Sequence, residues 1–351
     1  MSFRVTTNGM FRMYRSNLHN SYKKLNKAME KVDTERQFNA YYEDPAAAAR
    51  AFSMRRAFSR ADAQVKNSDY VISKFQTAWG AIGKVVDGDE ESPGINAIAT
   101  AIRGLTDTAG AGRAPLGQQM LGAADNIVNS FNITYGENYV FSGADGKNVA
   151  LTWDEDGKTL LYRGVDVTSG GNAKLKSMAN EATYVDIGLG LQEDQTGNII
   201  PASAYNSALS ALNFLGYGVD EDGDSKNLVV LMKELGNIFA NCNSSTGEFD
   251  PDPAKAAELK ERAWRLAGKI QQATDHAQEM HIKLDTQAEY LRRNRDQLED
   301  EQYTLNEQIN DLERLELGEA ITEMSWVQYS YNAALKIGNN ILSQSLLDYM
   351  N

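Results

Sequence analysis

The sequence predicts a mainly α-helical fold with a β insertion, in which long terminal helices form a coiled coil and a helical rod and a small β domain is inserted. Leucines recur every seven residues from Leu284 to Leu312, a spacing that makes one wall of a coiled coil. Apolar residues from Ala47 to Val86 alternate steps of three and four, as a partner helix would. After Gly143 the apolar period changes from helical to alternating, which predicts β-structure.

The leucine-rich helix follows a breaker at residues 250–253. No proline comes after Pro253 and no glycine lies between Gly268 and Gly318, so we expect no stop in that interval. The part before Gly318 would be roughly 90 Å long at about 1.5 Å per residue. A seam of that length requires long partner helices, and the 47–86 helix is the natural one.

An amphipathic helix is also predicted at the amino end, from about Asn8 to Glu35. It is locally basic in an acidic protein, with Arg12, Arg15, Lys23, Lys24, Lys27 and Lys31. A nucleic-acid or membrane-surface helix is one interpretation of this pattern. We favour pairing with the acidic carboxyl-terminal region, where the last helix offers Glu319, Glu323 and Asp348 and residues 299–316 are rich in Asp and Glu.

The two terminal helices carry the candidate assembly interface. From Ala320 onward the apolar positions step four and three, and three further apolar residues widen the stripe beyond what one helix can cover. The surplus apolar surface predicts contact with neighbouring subunits. The candidate interface residues are Leu18, Tyr22, Leu25, Met29, Val32, Met324, Val327, Tyr331, Leu335, Ile341, Leu342, Leu346 and Leu347.

Between the ends, capping and turn signals place the remaining elements. Asp44 can cap a helix whose first residue is Pro45, and residues 87–94 have the composition of a turn. Helical patterns follow at 95–105, 116–131, 204–215 and 228–240. A β-hairpin closed at Asp156-Gly157 is predicted, with further strand candidates at 184–191 and 198–200.

These patterns divide the chain into five segments. Residues 1–40 and 317–351 form the two halves of a terminal coiled-coil assembly domain, and residues 41–143 and 204–316 form the two halves of a helical rod domain. Residues 144–203 form the inserted β domain.

Composition disfavours several classes of protein, including nonspecific nucleic-acid binders, membrane-spanning proteins and disulfide-bonded proteins. The chain has 351 residues, a formal net charge of -13 and a pI of about 4.8, which disfavours nonspecific nucleic-acid binding. No apolar stretch is long enough for a membrane span, and the first residues lack the features of a secretory signal. The single cysteine, Cys242, excludes an intrachain disulfide and is expected to be buried and inert.

The sequence offers little material for catalysis, and we expect neither an enzyme nor a cofactor. His276 and His281 are five residues apart, which separates them by about 140° on a helix and disfavours a zinc site. The acidic loop at 216–224 invites a calcium interpretation, but its glycine is misplaced for an EF-hand and no glutamate closes it. Paired carboxylates lie at helical-surface spacing and are typical of a solvated face.

Several short motifs at both ends resemble one family. They are Arg4-Val5-Thr6-Thr7-Asn8, Asn17-Leu18, Leu25-Asn26, Asp44-Pro45-Ala46-Ala47-Ala48, Tyr135-Gly136, Tyr139-Val140-Phe141-Ser142-Gly143, Glu319-Ala320-Ile321-Thr322-Glu323 and Ser345-Leu346-Leu347-Asp348-Tyr349. In this order they resemble the flagellin superfamily, and within it the hook-associated protein 3 family more than the flagellins. The resemblance covers about the first 145 and last 100 residues. Phe38 to Tyr42 departs from the family pattern.

The resemblance implies a structural subunit of the bacterial flagellum that joins hook to filament as a homo-oligomeric ring. It implies partners as well: hook-associated protein 1, flagellin and a flagellar export chaperone. It also implies an extracellular location, reached through the type III channel without a cleaved signal. A flagellin that builds the filament is the nearest alternative, and a cytoplasmic coiled-coil scaffold is a second.

Overall fold

A computed structural model describes the backbone of residues 7–86, 92–107, 112–169 and 173–350, with side chains for the same segments except 7–8 and 340–350. This part of the chain is mainly α-helical with small antiparallel sheets, which confirms the predicted fold class. The helices are α1 (Thr7–Thr34), α2 (Pro45–Val86), α3 (Pro93–Thr106), α4 (Arg113–Phe131), α5 (Ala173–Ala179), α6 (Ala211–Leu215), α7 (Leu228–Ala240), α8 (Pro253–Glu313) and α9 (Leu317–Met350). The strands are β1 (Thr134–Tyr135), β2 (Asn138–Tyr139), β3 (Ser142–Gly143), β4 (Leu151–Trp153), β5 (Leu160–Tyr162), β6 (Val165–Asp166), β7 (Tyr184–Val185), β8 (Tyr205–Asn206) and β9 (Leu209–Ser210).

The chain forms two compact units. One contains residues 1–62 and 299–351, and the other contains residues 63–298. The five-segment division made from the sequence is finer and stays a prediction. None of the helices in the described ranges combines the length and apolarity that crossing a membrane requires.

Helix α2 begins where the capping signal predicted. The Asp44 carboxylate accepts a hydrogen bond of 2.9 Å from the Ala47 backbone N–H, which satisfies one of the free donors of the first turn. Farther along, Ile72, Phe75 and Ile82 are buried as the heptad run predicted. Trp79 departs from that run and is 43% exposed, because Ala78 occupies the close-packed position and the indole stacks on the His281 ring instead.

The leucine seam of α8 packs against α2 in the second unit. Leu284, Leu291 and Leu298 are buried. The Gln278 side chain donates to the Val86 carbonyl at 3.1 Å, which ties the two helices together at that level. The two long helices are therefore in contact at this level and at the Trp79–His281 stack, and their pairing along the whole seam stays a prediction.

The expectation that nothing stops the helix before Gly318 was wrong, since α8 ends at Glu313. Backbone groups there leave the helical ladder and bond across to the segment after α1. The Gln37 N–H donates to the Glu313 carbonyl at 2.8 Å, and the Leu315 N–H donates to the Glu35 carbonyl at 3.1 Å. These hydrogen bonds to a segment distant in sequence replace the helical ones, so the helix breaks here without a proline or a glycine.

The β insertion contains the predicted hairpin. Strands β4 and β5 are antiparallel, with Trp153 opposite Leu160, and Gly157 adopts φ +63° in the turn between them. The turn requires a backbone conformation that glycine adopts at little cost. The residues that the structure leaves out of its description include 87–91, so most of the turn predicted at 87–94 lies outside it.

The helix predicted over 204–215 is correct only for its last five residues, 211–215. Residues 205–206 form β8, which pairs with β7, and residues 209–210 form β9, which pairs with β3. Strand pairing here closes the insertion onto the helical part of the unit and outweighs local helix propensity. The strand candidate at 184–191 is shortened to β7, and the one at 198–200 is reduced to an isolated bridge between Glu193 and Ile199.

Candidate assembly interface

Helices α1 and α9 pack along each other and form the site that the sequence singled out. The rings of Tyr22 and Tyr331 lie 6.0 Å apart between centroids, tilted by 47°. Ala28 and Ala320 are buried in the same contact, where their small side chains allow close approach. Isolated helices of this length are marginal in water, so this packing is what stabilises them.

The predicted interface residues fall into three groups. Leu18, Leu25, Val32, Met324, Val327 and Tyr331 are half-buried between the two helices. Tyr22, Met29 and Leu335 are 48%, 46% and 41% exposed, so the paired helices leave much of their surface uncovered. The side chains of Ile341, Leu342, Leu346 and Leu347 lie outside the described residues.

A second apolar surface on α9 was missed by the sequence reasoning. Trp326, Tyr329 and Ile337 are 67%, 71% and 56% exposed, and the rings of Trp326 and Tyr329 meet edge to face at 6.5 Å. They lie on the side of α9 away from the stripe that contacts α1. The signal was present as steps of three, four and four through Ala333, a second apolar stripe on the same helix.

We call Trp326, Tyr329 and Ile337 the outer aromatic face. Thr322 and Ser325 join Ile321 and the two aromatic rings in lining a shallow cleft beside it. Large apolar side chains with this much exposure carry a solvation cost of roughly 1.5–3 kcal/mol each relative to full burial. A cluster of them on one helix is typical of a surface that a partner covers.

The charge distribution of α1 agrees in part with the expected pairing, because Lys31 lines a cleft with Glu319 and Glu323 of α9. Within the described residues, no cation of α1 forms an ion pair with α8 or α9, although the sequence favoured that pairing. Lys27 instead pairs with Glu43 at 3.3 Å. Tyr22 of α1 lies beside Tyr331 of α9, and residues 324–340 of α9 contain no acid, whereas Lys31 lies near Glu319 and Glu323.

Glu43 fixes the turn after α1. Its carboxylate accepts a hydrogen bond of 2.9 Å from the Asn39 N–H, and the neighbouring Lys27 ammonium adds to this. The Asn39 hydrogen bond and the nearby Lys27 charge lower the pKa of the Glu43 carboxyl below its usual value, so Glu43 is ionised at neutral pH. This ties the end of α1 to the segment that leads into α2.

The carboxylates of the acidic loop in the second unit form ion pairs with a lysine side chain of the same unit. Asp220, Asp222 and Asp224 lie together, and the Lys269 ammonium lies 2.6, 3.0 and 2.6 Å from their carboxylates. Arg265 adds a bond of 2.7 Å to Asp224. These hydrogen bonds lower the pKa of Asp224 to about 2, with Arg265 the largest cause. The Lys269 ammonium therefore occupies the position at which a calcium ion would bind these carboxylates.

The remaining candidates for chemistry have structural roles. The His276 imidazole lies 3.0 Å from the Asn213 carbonyl, and the His281 imidazole lies 3.1 Å from the Trp79 carbonyl, so each ring holds a backbone group. Cys242 is buried, and burial raises the pKa of its thiol. A buried protonated thiol is a poor nucleophile.

Comparisons with known proteins match this architecture. Residues 5–144 match the model of the bacterial flagellin N-terminal helical region. No curated protein matches the chain. Among solved structures, a provisionally assigned flagellar hook-associated protein from Vibrio parahaemolyticus is similar, with a TM-score of 0.55 and 13% identity over 78% of this chain and 100% of that one.

Two further solved structures are similar over comparable lengths. Bacillus cereus FlgL has a TM-score of 0.46 and 11% identity over 74% of this chain and 99% of that one. Xanthomonas campestris FlgL has a TM-score of 0.49 and 13% identity over 73% of this chain and 99% of that one. The Vibrio likeness shows a shared fold, and residues 5–144 are similar to the flagellin N-terminal helical region.

Proposed function

We propose that this chain is a structural, non-enzymatic subunit of the bacterial flagellum that joins hook to filament. It would be exported through the flagellar type III channel and would assemble outside the cell as a ring of identical copies. Its partners would be hook-associated protein 1 and flagellin, with an export chaperone bound before export. The flagellin-type amino-terminal region and the fold shared with a hook-associated protein support this proposal.

The observation that carries the proposal is the uncovered apolar surface of the paired terminal helices. Leu335, Trp326 and Tyr329 are each more than 40% exposed on α9, although α1 already packs along that helix. A helix with apolar side chains on more than one side requires more than one neighbour. In a flagellar assembly, adjacent subunits provide those neighbours.

The test uses the full-length chain in its flagellated host. We expect the intact protein in sheared extracellular appendages, at about one ring of copies per appendage and localised at the hook end. Absence from the appendages would contradict the proposal. Its presence only inside the cell would favour a cytoplasmic scaffold instead.

A substitution makes the test specific to the terminal helices. Leu335→Asp places a charge in the uncovered apolar surface, so we expect a folded chain that no longer joins the appendage. Asn332→Asp is the matched control, because Asn332 is an exposed polar residue of the same helix. Equal incorporation of the two variants would count against the terminal helices as the assembly element.

A flagellin that builds the filament is the second candidate, favoured by the family whose model matches residues 5–144. Copy number separates the two. A filament subunit would be present in thousands of copies along the appendage and a junction subunit only in a ring. Immunolabelling along intact filaments would show which distribution applies.

A further inference from the structure

A stripe of basic side chains lies on the exposed surface of α1, where Arg12 and His19 also border a cleft with Tyr331 of α9. Arg12, His19 and Lys23 follow one another at spacings of seven and four, which places them on one face of the helix. All three are exposed, whereas Leu18 and Leu25 face α9. We call this set the cationic stripe, after the charges of Arg12 and Lys23. The sequence has no acidic residue between Thr7 and Met29, so α1 supplies no counter-charge of its own there.

A stripe of carboxylates of the same spacing lies on α8. Asp300, Glu307 and Asp311 are exposed and again follow at seven and four residues, on the side opposite the partly buried Leu305 and the buried Ile309. We call this set the acidic stripe. Glu307 accepts a hydrogen bond of 2.9 Å from the Tyr303 hydroxyl.

No ion pair joins the two stripes within one chain among the described residues, although Asp311 shares a cleft with Lys31 of α1. Arg12 and Lys23 form no ion pair with the acidic stripe among the described residues. Lys23 lies twelve residues before the crossover at Glu35 that leads toward α8, which is about 18 Å along α1 at about 1.5 Å per residue. That separation exceeds the Debye length of about 8 Å at physiological salt, so attraction across it is largely screened.

We infer that the cationic stripe of one copy binds the acidic stripe of a second copy of this chain. Eleven residues separate Arg12 from Lys23, and eleven separate Asp300 from Asp311, so both charge pairs can be opposed at once whichever way the helices run. Eleven residues complete three helical turns, which keeps both pairs on one line. This register match is the reason for choosing a second copy over a generic anion.

The inference rests on the proposed function and defines the kind of contact that the assembly uses. The two surfaces are different patches of the chain, so their pairing is head to tail and not two-fold symmetric. Such a contact closes into a ring or continues as a helix, depending on the rotation between copies. A junction ring needs a contact of this type. Exposed charge pairs are individually weak, so the stripes set the register while the apolar surface provides most of the affinity.

Charge reversal in the full chain tests the inference. Arg12→Glu/Lys23→Glu reverses one stripe, and Asp300→Lys/Asp311→Lys reverses the other. We expect each double variant to enter sheared appendages at least about tenfold less than the wild type, because like charges then face each other. The quadruple variant, in which both stripes are reversed, should recover incorporation.

Two further experiments test whether misfolding of the variants explains a loss of incorporation. Co-expression of the two double variants should restore incorporation, since each then offers a stripe complementary to the other. Arg50→Glu/Arg60→Glu is the control, because it reverses the same number of exposed charges on α2 and should leave incorporation unchanged.

Unreduced incorporation of either double variant would overturn the inference, as would failure of both the quadruple variant and the mixture. Salt-sensitive binding of the wild type to phosphatidylglycerol vesicles, lost in Arg12→Glu/Lys23→Glu and without recovery in the mixture, would identify a lipid surface instead. If the wild type itself is absent from appendages, the proposed function fails first. If the wild type is present but the charge-reversal variants do not show the expected loss and recovery of incorporation, only the proposed pairing of the stripes fails.

Discussion

Gly338 of α9 lies directly against the ring of Tyr14 of α1. A Cβ atom at Gly338 would overlap the Tyr14 hydroxyl and would lie 2.8 Å from its Cε1 atom. No side chain fits there unless the tyrosine moves. Glycine at this position therefore allows α1 and α9 to approach, and the pair depends on it.

We predict that Gly338→Val weakens the pairing of α1 with α9 by about 1–3 kcal/mol, the usual cost of overpacking a fitted contact. Hydrogen exchange of α1 amides in the full chain measures this as lost protection. Tyr14→Ala introduced together with Gly338→Val should recover part of the loss, because the colliding ring is gone. Gly318→Ala is the control, since a Cβ at Gly318 meets nothing within 4 Å. Unchanged α1 protection in Gly338→Val would contradict this packing.

The outer aromatic face provides a second prediction. Trp326→Ser/Tyr329→Ser should leave the thermal unfolding of the isolated chain nearly unchanged, because both rings are already more than 60% exposed. The same variant should enter appendages far less well, since the surface that a neighbour buries is lost. Tyr42→Ser is the matched control, because that tyrosine is 83% exposed and lies outside both this face and the acidic stripe. Equal loss in both variants would show that the face has no special role.

The terminal helices were predictable because their apolar steps of three and four repeat over many turns. The outer aromatic face was missed because the residues of a second apolar stripe were not distinguished from irregular members of the first stripe on the same helix. The end of α8 at Glu313 could not be found, since the backbone bonds that produce it come from residues 35–37, far away in sequence. Residues 205–210 were misassigned for the same reason, because their strand partners lie at 142–143 and 184–185.

The clamp between Lys269 and the aspartates of the 216–226 loop should make stability depend on pH. The folded-state pKa of Asp224 is about 2, below the usual 3.8, so its contribution is complete above about pH 4 and is lost as pH falls toward 2. The pKa of Lys269 is raised by its hydrogen bonds to the three aspartates, although burial opposes this. Its contribution is therefore complete below the usual value of 10.5 and is lost only at still higher pH.

Lys269→Met tests this clamp. At pH 7 we expect a loss of about 1.5–3 kcal/mol in the free energy of unfolding, the usual contribution of a hydrogen bond to a charged group. The difference from the wild type should shrink as pH falls from 4 to 2, because the aspartates become protonated in both proteins. Lys283→Met is the control, an exposed lysine on the same helix. A difference that is equal at pH 7 and pH 2 in urea unfolding would rule out the electrostatic origin.

A glycine contact inside the second unit sets the distance between α4 and α7. A Cβ at Gly117 would lie 2.6 Å from the Gly236 carbonyl oxygen and 2.8 Å from the Ala240 Cα. These are backbone atoms of α7, which cannot turn aside as a side chain can. We therefore predict that Gly117→Ala destabilises the chain by about 3 kcal/mol, at the upper end of overpacking costs.

Gly122 on the same helix supplies the matched control. A Cβ there meets nothing within 4 Å, so Gly122→Ala should stabilise the chain by roughly 0.5–1 kcal/mol through its better helix propensity. The two substitutions are chemically identical, and only their surroundings differ. Urea unfolding of both variants at one pH measures the difference, and the two changes should have opposite signs. If Gly117→Ala also raises the free energy of unfolding, the close approach of α4 to the α7 backbone described above would be contradicted.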